Sequence, residues 1–153
     1  MDGTLEDRLA IERQLYELCY LIDEPDPAGW VAIYTEDGVS EAVMIGASEP
    51  FSRSEGTDEL RAFIDIVTAG DRPPSLHHLT GIVFDELTAD TARTRSMLVV
   101  TTQSAETSEP VINTHGIRHD RWRKTPDGWR LAHRRYIAYG YRSQPPAEVL
   151  TNN

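Results

Sequence analysis

Apolar residues recur at helical spacing in the first part of the chain and alternate like strand positions in the second. Ile11, Leu15, Leu18 and Ile22 follow the i, i+4, i+7, i+11 stripe of an amphipathic helix. Thr4 with Asp7 three residues later supplies a capping signal, which predicts a helix over about 5–22. Asp26 before Pro27 opens a short second helix through Trp30, Ile33 and Tyr34 that Gly38 ends. Residues 39–45 predict a short strand and 46–56 a loop. Leu60, Phe63, Ile64 and Val67 give another amphipathic helix, stopped by Gly70 and barred from continuing by Pro73 and Pro74.

From residue 75 the period changes from 3.6 to 2. Four strands are predicted, over about 76–87, 91–102, 110–124 and 128–141, separated by TAD, by the polar stretch SAETSE and by the turn signal TPDG. Helices followed by hairpin-connected strands specify an α+β domain with its helices on one face of an antiparallel sheet. Strands this long curl, so sheet and helices are expected to enclose a cone-shaped cavity. Residues 1–153 are expected to form a single domain, with a core over about 5–141 and a C-terminal tail at 142–153.

Charge narrows the partners. The 153 residues carry 15 Lys+Arg against 25 Asp+Glu, a formal net charge of -10. Such a field repels nucleic-acid backbones and anionic membranes, so neither is an expected partner. Arg118, Arg121, Arg123, Lys124, Arg130, Arg134 and Arg135 put positive charge on the last two strands, where they read as exposed positions paired with acids. The one cysteine, Cys19, excludes an internal disulfide and a cysteine metal finger. The N-terminus has acids where a signal peptide needs bases, and no apolar run approaches the roughly 20 residues of a membrane span. A cytoplasmic protein is expected.

Candidate chemistry lies in polar residues that interrupt the apolar pattern. Tyr16, Cys19, Tyr20 and Asp23 form a second stripe on the first helix, which places a carboxylate at its end; the plainer alternative is an Asp that caps the turn. His77 and His78 are adjacent on a strand and face opposite ways. Leu76, His78, Thr80 and Ile82 make one face and His77, Leu79, Gly81 and Val83 the other, so alternation does not choose between them. A histidine facing a cavity is the natural proton acceptor near neutral pH. His115 and His119, four apart on a strand, stand roughly 13 Å from each other and do not share a metal. Cys19, among apolar helix neighbours, reads as inert packing. No nucleophile elbow, phosphate loop or dinucleotide turn occurs.

The opening helix running into YLIDEPDPAGWVAIYTEDG, then LHHLTG, TADTARTRS and HGIRHDRWRKTPDGWRLAHRR, together resemble the nuclear transport factor 2 superfamily, in its polyketide-cyclase-like and scytalone-dehydratase-like branch. The resemblance spans about residues 5–139 and rests on the order and spacing of these motifs. It implies a curved antiparallel sheet wrapped around the N-terminal helices as a cone with a deep pocket. It also implies a catalytic pair of Asp23 and His78, in which His78 takes a proton from carbon and Asp23 orients the ring. Thr101 or Thr102 stands where a second pocket histidine is found in scytalone dehydratase, Ile22 where a tyrosine is, and His119 near an asparagine position. Tyr16, Tyr20 and Tyr34 are the available substitutes for the missing tyrosines. Tyr34, Thr102, His115 and His119, with Tyr16 and Tyr20, are thus the expected substrate-binding residues.

The implied function is a cofactor-independent lyase of dehydratase type, or an isomerase, acting on a small, mostly apolar organic substrate without metal. A polyketide-type cyclase, or a non-catalytic binding or assembly domain of the same fold, is the alternative. A homo-oligomer, dimer or trimer, is expected through the outer face of the sheet.

Overall fold

The computed structural model describes residues 2–70 and 73–142. Its elements run α1 (Leu5–Asp23), α2 (Pro27–Ala32), β1 (Tyr34–Met44), β2 (Ser52–Glu55), α3 (Gly56–Val67), β3 (Ser75–Leu87), β4 (Thr91–Gln103), β5 (Pro110–Thr125) and β6 (Gly128–Tyr141). The expected tail at 142–153 lies, after Arg142, outside the described residues.

Local chemistry explains the helix starts. Thr4 and Asp7 form a reciprocal capping box on α1, each side chain accepting the other's backbone N–H. Asp26 caps α2 by accepting the Gly29 N–H at 2.9 Å, with Pro27 in the first turn. The second helix is shorter than expected. It ends at Ala32, and Tyr34 already pairs with Leu131 of β6. The chain between the helices also contributes β2, whose residues pair antiparallel with β1.

The six strands form one sheet in the order β2-β1-β6-β5-β4-β3. The antiparallel pairing expected for the last four strands is present, while β1 enters parallel to β6 and makes the sheet mixed. The helices cover one face. Ile11, Leu15 and Leu18 of α1 and Leu60 and Ile64 of α3 are fully buried against Trp122, Trp129 and Leu131. Where the register of β5 to β6 shifts beside Gly116, that position has no room for a side chain: a Cβ there would lie 2.1 Å from the Ile137 carbonyl oxygen.

On β3 the register to β4 shifts twice, near Gly81 and again between Phe84 and Glu86, and the first shift bears on the site. Gly81 has φ of +61°, and the register to β4 shifts between Thr80 and Val83. This is a β-bulge, and it exchanges the two faces of the strand. His77 and Leu79 before it, and Ile82 and Phe84 after it, all lie toward the helices; Leu79, Ile82 and Phe84 pack on the core.

Candidate functional site

Asp23 is the last residue of α1 and meets the start of β3 there. β3 is an edge strand, so its outward backbone groups have no neighbouring strand to pair with. One Asp23 oxygen accepts the backbone N–H of His77 at 2.8 Å, and the other lies 2.5 Å from His77 Nδ1. The two side chains are 8% and 12% exposed. The carboxylate therefore grips the same residue twice, by its main chain and by its ring. This fixes the ring plane and the proton on Nδ1, leaving Nε2 as the acceptor. Among the described residues nothing hydrogen-bonds to Nε2.

The structure thus brings a histidine to Asp23, but it is His77 and not the expected His78. His78 is exposed on the outer face, its Nε2 3.0 Å from Thr101 Oγ1. Alternation leaves the choice open and the family resemblance implies His78; the bulge shows which way the strand faces, because Ile82 marks the inward face only beyond Gly81, whereas before it the odd positions point in.

Of the expected substrate-binding residues, Tyr34 alone is buried among the helices and sheet. Tyr16 and Tyr20 are 47% and 63% exposed, because their stripe straddles the edge of the buried helix face, with Cys19 and the Asp23 side chain on its inner side. Thr102 donates to the Pro74 carbonyl at 3.1 Å. His115 and His119 are exposed on the outer face, where His115 lies beside the Tyr139 ring. Clefts among the described residues open to solvent. One of about 350 Å³ lies on the outer face among Arg93, His119, Arg121, His133 and Arg135; another, of about 470 Å³, lies beside α1. Neither is lined by Asp23 or His77, so neither is the expected conical chamber.

The interior also holds charges that the expectation of exposed basic residues missed. Arg118 and Arg134 are 5% and 4% exposed. Arg134 forks onto Asp120, with Nε and Nη2 at 2.8 and 2.7 Å. Burial works against its charge, but Asp120 more than offsets this and holds the guanidinium above its usual range. Arg118 reaches across to Cys19 Sγ at 3.8 Å, and burial, then the neighbouring Arg134, lowers its affinity for the proton. Burial likewise pushes the Tyr34 phenol up. A signal for this cluster exists in the sequence: Gly116, Arg118, Asp120 and Trp122 share one strand face, and a tryptophan marks that face as inward. Arg123 and Arg135 do sit on acids, Asp37 and Glu41, as expected of surface positions.

Among the described residues no group of three or more metal-ligating side chains occurs and no helix is long and apolar enough to cross a membrane.

The family model described as a SnoaL-like domain matches residues 3–135. Three similar solved structures have the same fold. An NTF2-like protein with a cystatin-like fold from Novosphingobium aromaticivorans is 23% identical, with TM-score 0.74 over 97% of this chain and 91% of that one. A Mycobacterium tuberculosis protein of unknown function is 29% identical, with TM-score 0.74 over 91% and 75%. A putative scytalone dehydratase from Novosphingobium aromaticivorans is 20% identical, with TM-score 0.73 over 93% of each chain. No curated protein matches significantly.

Proposed function

This chain belongs to the SnoaL-like domain family, and from that premise we propose that it is a cofactor-independent enzyme in which His77 removes a proton from carbon. The observation that carries this reading is the double grip of Asp23 on His77, which leaves Nε2 unbonded in a largely buried position. In the proposed step Nε2 takes the proton and the C–H electron pair forms a double bond. The leaving group departs with its own electron pair and receives the proton back from the imidazolium. Asp23 stabilises that imidazolium and keeps the ring in place. Elimination from a small, mostly apolar organic molecule is the favoured reaction, in keeping with the resemblance to a scytalone-dehydratase-like protein. The same base serves isomerisation or ring closure, and product mass separates them because only elimination loses a small molecule.

The test is deuterium exchange from D2O into the acidic C–H positions of a panel of β-hydroxy ketones and 1,3-diketones. His77→Ala is expected to slow exchange by about 100-fold or more, the usual contribution of a positioned base. Asp23→Asn is expected to slow it as well, and His78→Ala to leave it within threefold. Loss in the His78 variant with retention in the His77 variant overturns the assignment, and unchanged exchange in both favours a non-catalytic binding domain.

A further inference from the structure

The interior contains a cation that no carboxylate of the described chain satisfies. Asp120 is occupied by the fork from Arg134. Arg118, two residues before Asp120 and on the same strand face, makes one hydrogen bond among the described residues, from Nη1 to the Cys19 thiol. A guanidinium carries five N–H donors, and a thiol is a weak acceptor. Burying such a group without a full set of partners is costly, and an apolar side chain of similar volume avoids that cost. The placement makes physical sense if an anion arrives from outside the chain.

Two further polar groups stand in the same region without partners. The Tyr34 hydroxyl is buried; Ser40 is its polar neighbour, but no hydrogen bond of acceptable geometry forms. Burial opposes its ionised form, and the charges of Arg134 and Arg118 favour it. Ser96 is 2% exposed, its hydroxyl is unpaired, and its backbone pairs directly with that of Arg118. The cluster also reaches the helix that carries Asp23. Cys19, which Arg118 touches, is one helical turn before Asp23, about 6 Å along α1.

We propose that Arg118, with the Tyr34 and Ser96 hydroxyls, binds the oxygen of an enolisable carbonyl substrate and stabilises the enolate formed there. This rests on His77 acting as the base. When the α C–H bond breaks, the proton goes to His77 Nε2 and the electron pair moves into the C–C bond. The carbonyl π pair moves onto oxygen, which becomes the anion. A neutral carbonyl gains little from a guanidinium, whereas an enolate gains much from one that is buried as Arg118 is, so the interaction strengthens as the transition state is approached.

A stable aryl enol, 2-naphthol, tests the site without turnover. Wild type is expected to bind it as naphtholate, with the anion's absorbance band appearing at a pH where free 2-naphthol is neutral. Arg118→Met is expected to weaken binding by about 100-fold and abolish the band, Arg118→Lys to retain part of both, and Tyr34→Phe to weaken binding less. His77→Gln is expected to keep the band while losing deuterium exchange. Circular dichroism checks that each variant is folded; if the Met variant is not, the Lys and Phe variants carry the comparison. Binding of neutral naphthol by wild type, no binding at all, or an unchanged band in the Arg118 variants overturns the proposal. A band lost in the Arg118 variants, together with exchange unaffected by His77→Gln, keeps the anion site and removes the base instead.

Discussion

Removing the negative charge from the buried cluster should cost more stability than removing one of its two positive charges. Asp120 and Arg134 are 2% and 4% exposed and joined by two short hydrogen bonds. Breaking a buried pair from one side typically costs about 3–5 kcal/mol. Asp120→Asn keeps the shape but leaves Arg118 and Arg134 facing each other as diagonal neighbours on paired strands, roughly 7 Å apart. At an effective dielectric of about 20, two like charges at that distance repel by about 2 kcal/mol. Arg134→Met instead leaves Asp120 beside Arg118, whose guanidinium is free to turn toward it and form a replacement pair. The expected losses are therefore about 4 kcal/mol or more for Asp120→Asn and about half that for Arg134→Met. Against a total of about 5–15 kcal/mol, the first removes a large share of the stability. Urea unfolding at pH 7 reads both; with a slope of about 2 kcal/mol per molar, the midpoints fall by about 2 M and 1 M. Equal losses, or a larger loss for the arginine variant, refute the view that the cluster carries excess positive charge, and weaken the anion site with it.

Two other outcomes follow from the structure. The Asp7 carboxyl is held well below the usual carboxylate range by the Lys124 ammonium at 2.6 Å, then by the Trp129 indole N–H and by Thr4. A depressed folded pKa contributes stability that is complete above the unfolded value of about 3.9 and is lost as pH falls toward the folded one. The melting temperature of wild type should therefore exceed that of Asp7→Asn at pH 7, and the gap should close progressively below about pH 4; a gap constant from pH 7 to pH 2 contradicts this. Leu76, Val83, Met97 and Tyr139 are each about half exposed on the outer sheet face, which gives the expected homo-oligomer a surface to form through. Light scattering at micromolar concentration should give a mass above one chain and Met97→Lys should lower it, whereas a monomeric wild type refutes the expectation.

Most of the fold was legible because burial imposes a period on each element. The α1 stripe of Ile11, Leu15 and Leu18 predicted its buried face, and the four long strands fell within a residue or two of their predicted ends. The stretch from Ile33 to Glu55 was less legible. Tyr34, Thr35, Gly38 and Val39 are all buried with no strict alternation, since the β1 register to β6 shifts between Tyr34 and Val39. The parallel entry of β1 is a long-range choice, made by how α1 and α2 return the chain to the sheet, and no local spacing encodes it.

The candidate site shows the same division. Asp23 was legible as a carboxylate at the inner end of a helix, and the HH pair as the place where a strand begins, but choosing between the histidines required counting through Gly81. A period-two count is only as good as its last uninterrupted residue, so one inserted position reverses every face assignment before or after it. Gly81 did carry a local hint, because a glycine inside an alternating strand commonly marks a bulge, and its φ of +61° is one that glycine adopts readily. Crossing it once, with Leu79 and Ile82 both taken as inward, places His77 beside Leu79 on the helix side and sends His78 to Thr101. The buried arginines were hidden for a different reason. Charged residues are seldom buried unless paired, so composition argued for the surface, while their shared face with Trp122 argued for the interior. The structure follows the face, and it is the cost of keeping Arg118 there that turns a packing detail into a functional one.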